Sequence, residues 1–252
     1  MEWVEKLKNI WKIALSNSTK YRHGVSIVPV SSIAEQYYCE VKVDLKYRIG
    51  DIPTSEKEIG EELHNALLPA KKVSWKKIVE GIKSGQTVVV SFPLFGIVDN
   101  FILGGQPDAI VFSRGRPVLL VELKTTRGRV NVVWKDEVVQ AQLYALLLDL
   151  IGFDCSALNM VIVKLKRDQP LTVMEKKGFL ENIIKACSIG SLIKIKGKLA
   201  IRKIKYSKER ALDYVRWARE YWLNMRNPIP TRNKKKCAVC EYRKYCKYAV
   251  GT

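Results

Sequence analysis

The sequence predicts an α/β fold with a cysteine-bearing appendage, and three observations carry that reading. A series of β-rich segments broken by Pro and Gly occupies 86–126. Helical patterns flank it, at 54–70 before it and at 135–152 and 208–226 after it. The tail, 227–252, has few apolar residues and clusters three cysteines. Strands interleaved with helices imply a sheet covered by helices rather than a bundle or a sandwich. With 252 residues, 47% hydrophobic and 27% charged, the chain can bury one large core and is too apolar for disorder.

Residues 2–15 read as a short amphipathic helix. Glu2, Glu5, Lys6 and Lys8 interrupt any apolar signal-peptide core there. Within 30–47 a helix opens around Ser31 to Glu35. The clearest helix is 54–70: Ser55 and Glu58 have capping-box spacing, Pro69 supplies a stop, and Ile59, Leu63, Ala66 and Leu67 share one face. After the strands of 86–126 come a helix at 135–152, a strand at 157–166 and a helix at 174–187. A basic hairpin at 190–207 and a long helix at 208–226 complete the order. No stretch approaches the roughly 18 apolar residues of a membrane span. A cytoplasmic protein without a membrane partner is expected, so disulfides are not the default use of its six cysteines.

The charge is unusual. Forty-four Lys and Arg against twenty-five Asp and Glu leave a formal +19. Such a field favours polyanions, most simply nucleic acid, through release of counterions from phosphates. The segment GSLIKIKGK has the wrong glycine spacing for a nucleotide-binding loop and no following Ser or Thr, which argues against an autonomous helicase motor.

Three charges interrupt the apolar runs of 104–126. With the turn at SRGRP centred on Gly115, facing residue numbers sum to about 230, and Asp108 falls opposite Glu122. Facing side chains lie only about 4.5–5.5 Å apart at Cβ, so two carboxylates there repel unless a cation lies between them. Lys124 shares the face of Glu122. Val118 and Leu120 should lie on that face too, with Leu119, Val121 and Leu123 on the other. Strands apolar on both faces are buried, where charge is costly without a partner. Two adjacent hard oxygen donors suit Mg²⁺ or Mn²⁺.

Pro107, Asp108, Glu122 and Lys124 form P-D-x(13)-E-x-K, which resembles the signature of the PD-(D/E)xK nuclease superfamily. Two flanking elements resemble its RecB-like branch. Gly60 and His64 match G-x-x-x-H, one helical turn apart, so that a missing side chain lets the backbone approach while the imidazole reaches a metal. Gln140 and Tyr144 match Q-x-x-x-Y on the helix after the lysine strand. The resemblance implies a restriction-endonuclease-like core, a central mixed sheet flanked by helices. It also implies that His64, Asp108 and Glu122, with the Leu123 carbonyl, hold one or two divalent ions. Lys124 then acts on the attacking water, while Gln140 and Tyr144 orient the lysine or contact DNA. A histidine in the set favours Mn²⁺, with Mg²⁺ also acceptable.

Cys237, Cys240 and Cys246 supply three thiolates at short spacing, one fewer than a four-coordinate site needs. Cys155 and Cys187 stand in apolar surroundings that suit core filling. Cys39 is the better fourth candidate, and here the sequence resembles the iron–sulfur subgroup with one cysteine ahead of the nuclease core and three after it. That narrows the resemblance to the fourth CRISPR-associated (Cas-four) family of RecB-like exonucleases, over about 31–248. It implies a 4Fe–4S cluster on Cys39, Cys237, Cys240 and Cys246, with zinc as the physical competitor. The implied layout is a single nuclease domain over 1–252: an N-terminal extension at 1–30, a core at 55–226, and an iron–sulfur appendage from 31–54 and 227–252. The implied activity is a single-strand-directed DNA exonuclease, 5′→3′, trimming spacer precursors beside the CRISPR integrase complex. Two other readings stay open: a stand-alone repair or mobile-element nuclease, and a non-catalytic DNA-binding or scaffolding module. Oligomeric state is open too, a homo-oligomer included.

Overall fold

The computed structural model describes residues 2–16, 20–67, 74–168, 171–172, 176, 178–186, 192–195 and 197–251. Helix α1 (Glu2–Ser16) leads through a two-residue strand β1 (Val28–Pro29) into α2 (Val30–Tyr38) and α3 (Glu40–Ile49). The site helix α4 (Ser55–Leu67) and then α5 (Trp75–Lys83) precede five strands: β2 (Val88–Val90), β3 (Leu94–Val98), β4 (Phe101–Gly105), β5 (Ala109–Ser113) and β6 (Arg116–Thr126). Next come α6 (Lys135–Leu150), β7 (Asn159–Lys166), α7 (Phe179–Ala186), β8 (Leu192–Ile195), β9 (Leu199–Lys205), α8 (Lys208–Trp222) and the short α9 (Lys234–Ala238).

Six strands form a mixed sheet in the order β2-β5-β6-β7-β9-β8, and β1-β4-β3 form a smaller one. Within the large sheet β6 and β7 run parallel and every other pair is antiparallel. One face of the large sheet packs Leu67 of α4 and Phe179, Leu180 and Ile183 of α7. The other face packs α6, which is apolar almost all round because it is wedged between β6, β7, the small sheet, α2 and α8. The wedge is tight at Gly96, where an added Cβ would meet Leu147 and Leu150 at 2.7 Å.

From the stretch expected as an extension, 1–30, Trp3, Val4, Leu7, Ala14, Tyr21 and Val28 are part of the main core. Trp3 stacks among Trp75, Phe92 and Phe153, and Trp11 lies on Phe95 at 4.8 Å between ring centres.

Several local expectations are corrected. Thr54, not Ser55, caps α4: its hydroxyl accepts from the Lys57 amide at 3.3 Å, whereas Ser55 turns to Glu56. The helix begins one residue earlier than a Ser55–Glu58 capping box requires, and Ala66 of its expected apolar face is exposed. Pro69, Cys187 and part of the expected 174–187 helix lie outside the described residues. The last long helix stops at Trp222, where Asn224 turns the chain with φ 59°. Helix α5 was missed, although its Ile78 and Ile82 are spaced to share one face of a helix.

The hairpin turn is tighter than assumed. Arg114 and Gly115 both take positive φ, 52° and 75°, so a two-residue turn pairs Ser113 with Arg116. That register alone would place Asp108 one residue out of step. A bulge between Val111 and Phe112 absorbs the difference, and Ala109 pairs with Val121 as the sum of 230 requires. Val118 is the extra residue; it packs with Leu119 instead of on the glutamate side.

Candidate active site

Side chains at alternate positions of β6 face α6: Leu120, then Glu122, then Lys124. Asp108 sits one residue before β5, where the ladder has ended. Its Oδ2 accepts the Leu123 amide at 2.8 Å, so the carboxylate takes over the hydrogen bond that backbone pairing no longer supplies. The preceding turn is clamped as well. The buried Ser91 hydroxyl donates to the Pro107 carbonyl at 2.7 Å and accepts from Gln106 at 2.8 Å.

His64 reaches the same point from α4, with Nδ1 3.0 Å from Asp108 Oδ1. On the other side Lys124 Nζ lies 2.9 Å from Glu122 Oε1 and donates to Gln140 Oε1 at 2.8 Å. The Gln140 amide nitrogen stands 3.5 Å from the Tyr144 hydroxyl. The chain thus brings His64, Asp108, Glu122, Lys124, Gln140 and Tyr144 together at the carboxyl end of the parallel β6–β7 pair. Gly105 leaves room for this corner, since an added Cβ there would lie 3.0 Å from the Tyr144 ring.

Gly60 behaves differently from expectation. An added Cβ would make only ordinary contact with Thr125 Oγ1, at 3.6 Å, so no backbone approach within the chain requires glycine there. Gly60→Ala is therefore expected to keep the fold and gain up to about 1 kcal/mol of helix stability, read as a higher Tm. Loss of nucleic-acid cleavage with that gain would mean that Gly60 makes room for substrate.

The electrostatics are those of a crowded buried site. Burial, joined by the neighbouring Asp108 charge, raises the Glu122 carboxyl to about 7 against the pull of Lys124. Burial also works to raise Asp108, but the His64 and Leu123 hydrogen bonds outweigh it and leave that carboxyl below its usual range. Burial opposes the Lys124 charge; the Glu122 and Asp108 carboxylates overcome it and hold the ammonium above its ordinary value. Glu122 Oε2 is buried and has no hydrogen-bond partner among the described residues. An orphaned carboxylate oxygen beside a second carboxylate and an imidazole is a donor set suited to a hard divalent cation. No group of three or more His, Cys, Asp or Glu is set as a finished metal cage among the described residues.

The cysteines also converge. Cys39 occupies an extended break between α2 and α3, φ −170°. Cys39, Cys237, Cys240 and Cys246 line one cavity with Tyr38, Lys42, Lys236 and Arg243. All four are free thiols, and Cys39 Sγ accepts the Thr231 amide at 3.4 Å. Buried Glu40, next to Cys39, pairs with Arg226 and accepts the Ile229 amide at 2.8 Å. Tyr242, fully buried, donates to the Gly50 carbonyl at 2.9 Å. These bonds seat the tail against α3. Cys155 is buried in the main core, where burial pushes its thiol up to about 12.

A pair that the sequence reading missed stands beside the site. Lys164 of β7, in register with Lys124, is 2% exposed and lies 2.7 Å from Glu137 of α6. Its signal was in plain view: a lysine interrupting an apolar strand, as Glu122 and Lys124 do.

A helix-flanked mixed sheet with an acid, an acid and a lysine at one end of a central hairpin defines a nuclease of the PD-(D/E)xK kind. The family model of the PD-(D/E)XK nuclease superfamily matches residues 37–247, and the chain belongs to that superfamily. Its members are nucleases that use divalent ions such as Mg²⁺ or Mn²⁺. A comparison with curated proteins gives no match. A solved structure titled "Crystal structure of SSO0001" is similar over 100% of this chain and 98% of its own, with 16% identity and a TM-score of 0.48. No helix among the described residues is long and apolar enough to cross a membrane.

Proposed function

We propose that the chain is a metal-dependent deoxyribonuclease, an exonuclease preferring single-stranded DNA with 5′→3′ polarity, that carries a 4Fe–4S cluster and trims spacer precursors in CRISPR adaptation. One observation supports the nuclease centre above all: His64, Asp108, Glu122, Lys124, Gln140 and Tyr144 meet in one corner, with Asp108, Glu122 and Tyr144 buried. Strand preference, polarity and the CRISPR setting rest on the motif resemblance, and the +19 charge supports a polyanionic substrate.

His64, Asp108 and Glu122, with the Leu123 carbonyl, would hold the divalent ion, which supplies acidified water and neutralises phosphate charge. The chain does the positioning. The Leu123 amide and His64 fix both oxygens of Asp108. Gln140 and Glu122 aim Lys124 Nζ, which holds a proton opposite the scissile phosphate and offsets its charge. Tyr144, packed against Gly105, supports Gln140. In the appendage, Cys39, Cys237, Cys240 and Cys246 would carry the cluster, whose place at the joint of both chain ends gives it a structural role.

A single strand labelled at its 5′ or 3′ end, incubated with Mn²⁺, tests the activity. Progressive shortening from the 5′ end, abolished by chelation, is expected. Failure of folded protein to cleave any strand with Mn²⁺ or Mg²⁺ would leave a binding module instead. Anaerobically purified protein should be brown, with iron and sulfide near four each per chain. A colourless sample with stoichiometric zinc would remove the iron–sulfur assignment.

A further inference from the structure

We infer that the buried Glu137–Lys164 pair is a positioning device for the nuclease centre, setting α6 so that Gln140 meets Lys124. The inference rests on the nuclease reading of Lys124.

Lys164 Nζ is fully engaged. It lies 2.7 and 3.0 Å from the two Glu137 oxygens and donates to the Val132 carbonyl at 2.7 Å. Glu137 in turn accepts the Trp134 amide at 2.8 Å, closing the first turn of α6. One lysine thereby ties three things to β7: the 127–134 connection, the start of α6 and the carboxylate of its first turn.

The geometry repeats across the sheet. Lys124 and Lys164 are register partners in the parallel β6–β7 pair, so both side chains point to α6. Their acceptors, Gln140 and Glu137, stand three residues apart on one face of that helix. Two lysines from neighbouring strands thus make two successive rungs to one helix, and Tyr144 follows a turn later. The outer rung carries no candidate ligand or nucleophile. A buried ion pair is weak evidence of stability, because desolvation offsets much of the attraction. Its value here is directional: fixing the helix along and about its axis keeps Gln140 within hydrogen-bond reach of Lys124. An error of about 1 Å at a catalytic group can cost about 100-fold in rate.

Lys164→Met keeps the side-chain volume and removes the donors; Glu137→Gln keeps the Trp134 hydrogen bond and removes the charge. Both are expected to lower kcat on a labelled strand, Lys164→Met by about 10- to 100-fold, with KM changed less than about twofold. Gln142→Ala is the control. Gln142 anchors the same helix elsewhere, to the Lys205 carbonyl and the Ser207 amide. It should lower Tm and leave kcat near wild type. Unchanged kcat in Lys164→Met overturns the inference, and so does an equal fall in Gln142→Ala at matched Tm loss. Lys124→Ala, run alongside, separates the two failures: if it retains activity, the nuclease reading of Lys124 falls instead.

Discussion

Lys124→Ala is expected to lower the rate of strand cleavage at least about 100-fold, the scale of a lost charge-stabilising donor, while leaving the fold intact. The lysine joins the two halves of the site, to Glu122 on one side and Gln140 on the other. Removing it leaves Glu122 without its cation. In the metal-free protein that carboxyl, already raised to about 7 by burial, takes up a proton, so no uncompensated charge stays buried. The side chain is 27% exposed, so water fills the space it leaves. Initial rates with Mn²⁺ and a labelled strand, beside circular dichroism of the same samples, measure both halves of the expectation. Asp108→Asn should be as damaging, because the site loses an anion while the Leu123 hydrogen bond survives. Wild-type rates in either variant would sink the active-site assignment.

Arg226→Ala should be strongly destabilising, at about 3 kcal/mol, the lower end for breaking a buried pair. Its guanidinium retains 19% exposure, which sets the lower figure, but Glu40 is only 1% exposed and would lose the cation it is paired with. For a chain of this size the cost corresponds to a Tm loss of roughly 6–12 °C. The same pair seats 227–231 against α3, so the damage should be local as well as global. Cys39 should react faster with a thiol reagent in Arg226→Ala than in the wild type, because the Thr231 contact goes with the segment. Glu40→Gln keeps hydrogen-bonding capacity and should cost less. Equal thiol reactivity in all three proteins would mean that the tail is held by its other contacts, among them Tyr242 on Gly50 and Glu241 on Lys42 and Lys57.

Much of the site was legible because charge in an apolar strand is costly and so has a reason. Asp108, Glu122 and Lys124 stood out that way, and the resemblance to the RecB-like branch added His64, Gln140 and Tyr144. The same rule applied to Lys164 and was not used, because no motif surrounded it. The hairpin register was reached by compensating errors: the turn is one residue tighter than assumed, and the bulge at Val111 and Phe112 restores the expected pairing. Bulges depend on which packing the two sheet faces prefer, and a strand pattern of period two does not record them. The surroundings of Gly60 likewise turn on a distance, 3.6 Å to Thr125, that no spacing rule supplies.

By itself the sequence determined the order of most helices and strands, though not α5, and the acid–acid–lysine hairpin, because these follow from local periodicity, turn chemistry or the cost of burying charge. Only the tertiary structure decided which groups share hydrogen bonds. Asp108 is held by the Leu123 amide, Lys124 by Gln140, and Cys39 meets the tail through Glu40 and Arg226. Those pairings join residues far apart in the chain. They are settled by how α6 wedges between two sheets and how the tail docks on α3, long-range packing that no local pattern encodes.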